Sequence, residues 1–132
     1  VLWPASSLAG QVVPDQNAFS ALVRLTLGDA GVLFTGDLPT EHEADVLATH
    51  GNVQSQLLKV GHQGSRTSTS EAFLRAVAPT YAVISVGAGN LFGHPTPEVV
   101  ARLKRLVPHV LRTDQDGTVR LRFHGGDWEQ VH

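Results

Sequence analysis

Three times along this 132-residue chain, a short apolar run ends in a glycine-bearing polar cluster and then gives way to a helical pattern. Val32-Leu33-Phe34 runs into Thr35-Gly36-Asp37, ahead of a helix from about Thr40. Leu57-Leu58-Lys59-Val60 runs into Gly61-His62-Gln63-Gly64-Ser65, with a helix following near Ser68. The nearly continuous apolar stretch 81–86 leads into the loop from Gly87 to His94, and Thr96-Pro97 opens a third helix. Strands that alternate with helices in this way run parallel, since each helix carries the chain back to the edge where the last strand began. The polar clusters then gather at the carboxyl ends of the strands, where open α/β sheets build their sites.

Caps and turns refine this outline. Thr40 with Glu43, and Ser68 with Glu71, have the spacing of capping boxes. Gly51-Asn52 suits the end of the first helix, and Thr96 with Pro97 suits the start of the third. That third helix carries an apolar stripe of Val99, Val100, Leu103, Leu106 and Val107. Residues 5–18 read as a loop. Residues 19–27 alternate as a strand, with Phe19, Ala21, Val23, Leu25 and Leu27 on one face and Ser20, Arg24 and Thr26 on a solvated or functional one. A turn at 28–31 makes this strand the first arm of a hairpin. The stretch 81–86 is apolar enough for burial on both faces. Residues 109–113 and 118–124 read as a closing hairpin about a turn at 114–117.

Composition narrows the function classes. At 42% hydrophobic and 17% charged residues the chain is too apolar for a disordered one, and its length permits one domain with a real core. It has no cysteine, which excludes disulfides and thiolate metal sites. A net charge of −2 offers no broad basic surface, so a nucleic acid would have to be held locally or by parts of a larger protein. No apolar run approaches the roughly 20 residues that span a bilayer, and no signal peptide is visible. This segment is therefore expected to be soluble. A start at Val1-Leu2-Trp3-Pro4 reads as a cut through a longer chain.

The clusters hold the candidate chemistry. A carboxylate at Asp37 and imidazoles at His62 and His94, converging at strand ends, suit a divalent metal such as zinc or manganese. Each has a plainer reading: Asp37 as a turn or helix-capping carboxylate, His94 as a loop hydrogen-bonder before Pro95. His62 between glycines is harder to explain by a turn alone. Ser65, Arg66 and the hydroxyls that follow serve either as helix caps or as an anion site. A serine-nucleophile reading of Ser65 is weak, because Gly-Gln-Gly-Ser is not a nucleophile elbow.

Taken in order, Asn17-Ala18-Phe19-Ser20, Phe34-Thr35-Gly36-Asp37, Leu58 through Ser68, Ile84-Ser85-Val86-Gly87 and Asn90-Leu91-Phe92-Gly93-His94-Pro95 resemble one family. It is the C-terminal metallo-β-lactamase-like domain of the ComEC competence proteins, which carry DNA across the bacterial inner membrane. The resemblance runs from about Trp3 to Gly117. It implies an α/β fold, the C-terminal half of an αββα sandwich, with a mixed sheet and helices on one face. Residues 1–132 would form a single partial domain. The resemblance also assigns roles: Asp37 as the carboxylate bridging two metal ions, His62 as a metal ligand, and His94 as a catalytic, substrate-facing histidine. Asn90, Ser65 and Arg66 would join His94 on the substrate. Asn17, Ser20, Lys59 and Gln63 would support the site.

Two departures stand out. The family's His-x-His-x-Asp-His motif occurs nowhere in the chain, and Gln63 stands where a second histidine is usual. Gln cannot take a proton, which removes any acid–base part at that position.

The expectation is therefore metal-dependent phosphodiester hydrolysis on DNA during uptake, with two divalent ions (zinc or manganese) in the complete domain and little metal binding or activity in this chain alone. Two alternatives stay open: a small-molecule ester, thioester or lactone hydrolase of the same superfamily, and a degenerate domain that binds DNA or a partner. The expected partners are the N-terminal half of the domain, a DNA substrate, and a membrane-embedded parent in the bacterial inner membrane, on a side the sequence does not give. Without the other half, the bare sheet face should drive dimerisation.

Overall fold

The computed structural model, which describes residues 1–131, joins the three strand–helix units into one five-stranded sheet. The strands are β1 (Val23–Leu27), β2 (Ala30–Phe34), β3 (Leu57–Lys59), β4 (Tyr81–Ile84) and β5 (His109–Arg112), and they lie side by side in chain order. β1 is antiparallel to β2, while β2 through β5 are parallel. Helices α1 (Thr40–His50), α2 (Glu71–Val77) and α3 (Pro97–Leu106) make the crossovers. Right-handed crossovers between strands laid down in a single direction place all three helices on the same face. The core lies between: Leu33, Leu58, Ala82 and Ile84 from the sheet against Val46, Phe73, Leu74, Val77, Val99 and Leu103 from the helices.

The opposite face is covered only in part. Leu25, Leu27 and Phe34 are 56%, 79% and 39% exposed there, so the apolar stripe of β1 is real but does not enter the core. Arg24, expected on the solvated side, instead lies half-buried opposite buried Leu33. β1 is also shorter than 19–27, because residues Asn17–Phe19 form a 3-10 turn and Leu22 bridges back to Trp3. In β4, Ala82 and Ile84 are buried whereas Tyr81 and Val83 are only half-buried. The run 81–86 is thus not buried on both sides, since helices cover one face only.

The chain ends differently from the expected hairpin. β5 joins the main sheet beside β4, and Thr113–Asp116 forms one helical turn. The closing hairpin is β6 (Arg120–His124) with β7 (Asp127–Val131), turned by Gly125-Gly126, both at positive φ. Val119 and Leu121 wall a cleft of about 250 Å³ against Val32, Phe34, Leu57 and Val83 of the open sheet face. Among the described residues no helix is long and apolar enough to cross a membrane.

Candidate functional site

The loops after β2, β3 and β4 meet at the carboxyl edge of the sheet. His62 donates its backbone N–H to the carbonyl of Gly36 at 2.9 Å, which ties the His62 loop to the residue before Asp37. The Asp37 backbone N–H donates to Ser20 Oγ at 3.1 Å. Gly36 is required here twice over: its φ is +55°, and a Cβ would lie 2.9 Å from that of Ser20. Ser20 therefore supports the Asp37 turn directly. Asn17 acts one step further back, its carbonyl accepting from the Ser20 N–H.

His62 and Gln63 both adopt left-handed backbone, with φ of 45° and 55°. That conformation costs about 1 kcal/mol or more for a residue with a side chain, and such strain concentrates at functional turns. It is maintained by close packing. Gly64 lies so near Pro95 that a Cβ would come within 2.5 Å of the proline's, and Thr96 N–H donates to the Gly64 carbonyl at 3.0 Å. The third loop is thus pressed onto the second. The result is an edge-to-face contact between the His62 and His94 rings, with centroids 5.6 Å apart. His94 Nδ1 is buried without a hydrogen-bond partner among the described residues.

The other expected site residues divide. The amide of Asn90 clamps its own loop: Nδ2 donates to the carbonyls of Gly87 and His94, and Oδ1 accepts from the His94 N–H. Ser65 is buried, its hydroxyl paired with that of Thr67. Arg66 is exposed and ion-paired with Glu98 at 2.8 Å. Lys59 lies on the open sheet face, lining the cleft there, and donates to the carbonyl of Val60. Gln63 sits half-buried in its strained turn.

Neither capping box forms. Ser68 is fully buried and donates to the carbonyls of Gly61 and Ser65, which rigidifies the His62 loop instead of starting a helix. Ser70 caps α2, accepting from Phe73 N–H. Glu43 turns away from its own helix and accepts the N–H groups of Thr69 and Ser70 at 2.6 and 2.9 Å. Arg102 donates to the carbonyls of Ser68 and Thr69 from the other side. Burial raises the Glu43 carboxyl above the ordinary carboxylate range, against the opposing pull of these N–H donors and of Arg102. Glu43 and Arg102 were missing from the expected site; a carboxylate in a first helical turn gave no sign that its partners lie 26 and 27 residues on.

A family model for the metallo-beta-lactamase superfamily matches residues 5–88, which include the Asp37 and His62 loops. The chain belongs to that superfamily. Its members generally bind divalent metals such as zinc, and their chemistry is hydrolytic. Among curated proteins the chain is 43% identical over 113 residues to the Competence protein ComA of Neisseria gonorrhoeae, 39% over 109 residues to ComE operon protein 3 of Bacillus subtilis, and 38% over 112 residues to Recombination protein 2 of Haemophilus influenzae. These matches cover 85%, 83% and 85% of this chain but only 16%, 14% and 14% of the relatives, so the match spans about one-seventh of their length. No solved structure matches it significantly.

The donor set can be tested against the metal chemistry of this superfamily. Asp37 and His62 are a hard carboxylate and a borderline imidazole on adjoining loops, of the right types for zinc or manganese. Among the described residues, however, there is no group of three or more His, Asp, Glu or Cys side chains that could enclose an ion. A zinc site takes about three or four protein ligands. These residues fit part of a metal centre and not a whole one.

Proposed function

We propose that this chain is the C-terminal portion of a metal-dependent hydrolase domain that cleaves phosphodiester bonds in DNA during DNA uptake. The observation that carries the reading is the junction of the three loops, which sets the His62 and His94 rings 5.6 Å apart beside the Asp37 turn. The names of two relatives, a competence protein and a recombination protein, favour DNA over other substrates.

In this reading Asp37 and His62 are ligands, and the remaining ligands come from parts of the protein outside these residues. A divalent metal bound there would supply an activated water and neutralise charge on the phosphate oxygens. The chain's own residues position and bind. Ser20 and Gly36 orient the Asp37 turn, and the Ser68 hydrogen bonds hold the His62 loop in its strained form. His94, half-buried with only its Nδ1 shut off, can donate to a phosphate oxygen through its other ring nitrogen, Nε2. Arg66 can follow, since its exposed pair with Glu98 is worth only about 0–1 kcal/mol and a phosphate readily replaces it. Gln63 can orient a bound group but cannot exchange protons.

The test is hydrolysis of DNA by the longer protein that carries this chain, with and without added manganese or zinc. Asp37→Ala and His62→Ala should abolish cleavage, and His94→Ala should leave about 1% or less, a loss within the range of general acid–base catalysis. Hydrolysis of esters or lactones in place of DNA would move the chain to another branch of the superfamily. Full DNA cleavage by Asp37→Ala would refute the reading.

A further inference from the structure

The loop that carries His94 also carries two side chains that folding leaves unused. Leu91 is 99% exposed and Phe92 is 78% exposed. The loop is not slack. Asn90 ties its two ends together, and Thr113 Oγ1 both accepts from Val86 N–H and donates to the Val86 carbonyl, each at 2.8 Å, just before the loop begins. After it, Pro95 is packed against Gly64. Phe92 is therefore presented from a fixed base. Its ring is close to parallel with that of His94, at 23° with centroids 6.1 Å apart, and the His94 ring in turn meets His62. Three rings thus lead from solvent to the Asp37–His62 junction.

We propose that Phe92, with Leu91 beside it, is a stacking platform for a nucleobase next to the bond being cleaved, so that the site selects single-stranded nucleic acid. The proposal rests on the phosphodiesterase reading above and adds to its phosphate contacts a feature that recognises the base. A net charge of −2 gives no overall electrostatic attraction for the phosphate backbone. Stacking needs none: every base has a π-face, and aromatic side chains hold bases in single strands without regard to sequence. A base inside a duplex is already stacked on its neighbours and gains nothing from Phe92, which gives the preference for single strands. The parallel offset between Phe92 and His94 leaves the outer face of the phenyl ring free while His94 faces inward.

The experiment uses the longer protein that carries this chain. Cleavage of a single-stranded oligodeoxynucleotide is compared with cleavage of the same strand bearing abasic sites around the scissile position. Phe92→Ala should raise KM for the normal strand by about 5- to 150-fold, the range that base stacking carries. It should leave the abasic strand unchanged, and Phe92→Trp should restore the normal KM. Binding of the normal strand should quench the fluorescence of Phe92→Trp beyond the wild-type change, whereas the abasic strand should not. Equal losses on both strands, or a fall in stability or metal content with Phe92→Ala, would mean that the ring packs against the rest of the protein, and would overturn the proposal. If the wild-type protein cleaves no DNA, the phosphodiesterase reading fails separately. The quenching comparison still decides the platform.

Discussion

Replacing Glu43 by alanine should destabilise the chain far more than a surface glutamate would, although Glu43 touches no candidate ligand. Glu43 is only 4% exposed, and its carboxylate accepts the backbone N–H groups of Thr69, at 2.6 Å, and Ser70, at 2.9 Å. Removing the acceptor leaves both donors without a partner. A buried unpaired N–H costs about 1–3 kcal/mol. Ser70 is partly reached by water, so the sum is about 2–4 kcal/mol, enough to lower the folding equilibrium constant about 30-fold or more. In urea, with a slope of about 1–3 kcal/mol per molar, the midpoint should fall by about 0.7 M or more. Glu43→Gln keeps one acceptor oxygen and should lie between. The pH dependence follows from the raised carboxyl. Between the unfolded and folded values the folded chain still holds a proton that the unfolded chain has released, so stability from this group falls as pH rises through that window. The advantage of wild type over Glu43→Gln should therefore narrow as pH rises from the ordinary glutamate range, then level off. A loss below about 0.5 kcal/mol for Glu43→Ala, the ordinary surface value, would refute the reasoning. An advantage that widens with pH would show that the N–H donors outweigh burial.

Gly64→Ala should cost more than about 2 kcal/mol and disturb the His62–His94 contact, because the new Cβ meets Pro95 at 2.5 Å and φ is +81°. Gly51→Ala, at φ +63° and ψ −59° with open space around it, should cost about 1–3 kcal/mol from backbone strain alone in the same thermal melt. Thr113→Val strips Val86 of both its hydrogen bonds and should cost about 1–3 kcal/mol, with faster amide exchange at Val86 as the local sign. Leu27→Lys on the open sheet face should change unfolding free energy by less than about 0.5 kcal/mol, because Leu27 is 79% exposed. If that face mediates self-association, as its apolar surface favours, the same substitution should shift sedimentation of the 132-residue chain toward monomer.

Much of this fold can be read from residue order because it is local. Apolar runs, glycine-rich loops and helix starts recur three times, and a parallel sheet with helices on one face is the simplest way to join them. What the residues do not reveal depends on contacts across the chain. The Thr40–Glu43 spacing reads as a capping box, yet the buried N–H groups of Thr69 and Ser70 compete for the carboxylate and win. Ser68 is likewise drawn into the His62 loop by the Gly61 and Ser65 carbonyls. The stripe Leu25, Leu27 has the right period for a core-facing strand, but period alone does not say which face the helices will cover. β7 is hidden in the polar stretch Asp127–Val131, where only the Gly125-Gly126 turn points to a hairpin. At the site, the loops of Asp37, His62 and His94 are brought together as their positions after successive parallel strands require. The part played by Asn90 as loop clamp emerges only from its three hydrogen bonds to its own loop.

Metal content by mass spectrometry after dialysis tests most directly whether Asp37 and His62 form part of a divalent metal centre completed elsewhere in the protein. The longer protein should retain about two zinc or manganese ions per molecule, and should lose them in Asp37→Ala and His62→Ala, while the 132-residue chain alone retains none. Stoichiometric metal in the 132-residue chain, or undiminished metal in the longer protein after both substitutions, would contradict it.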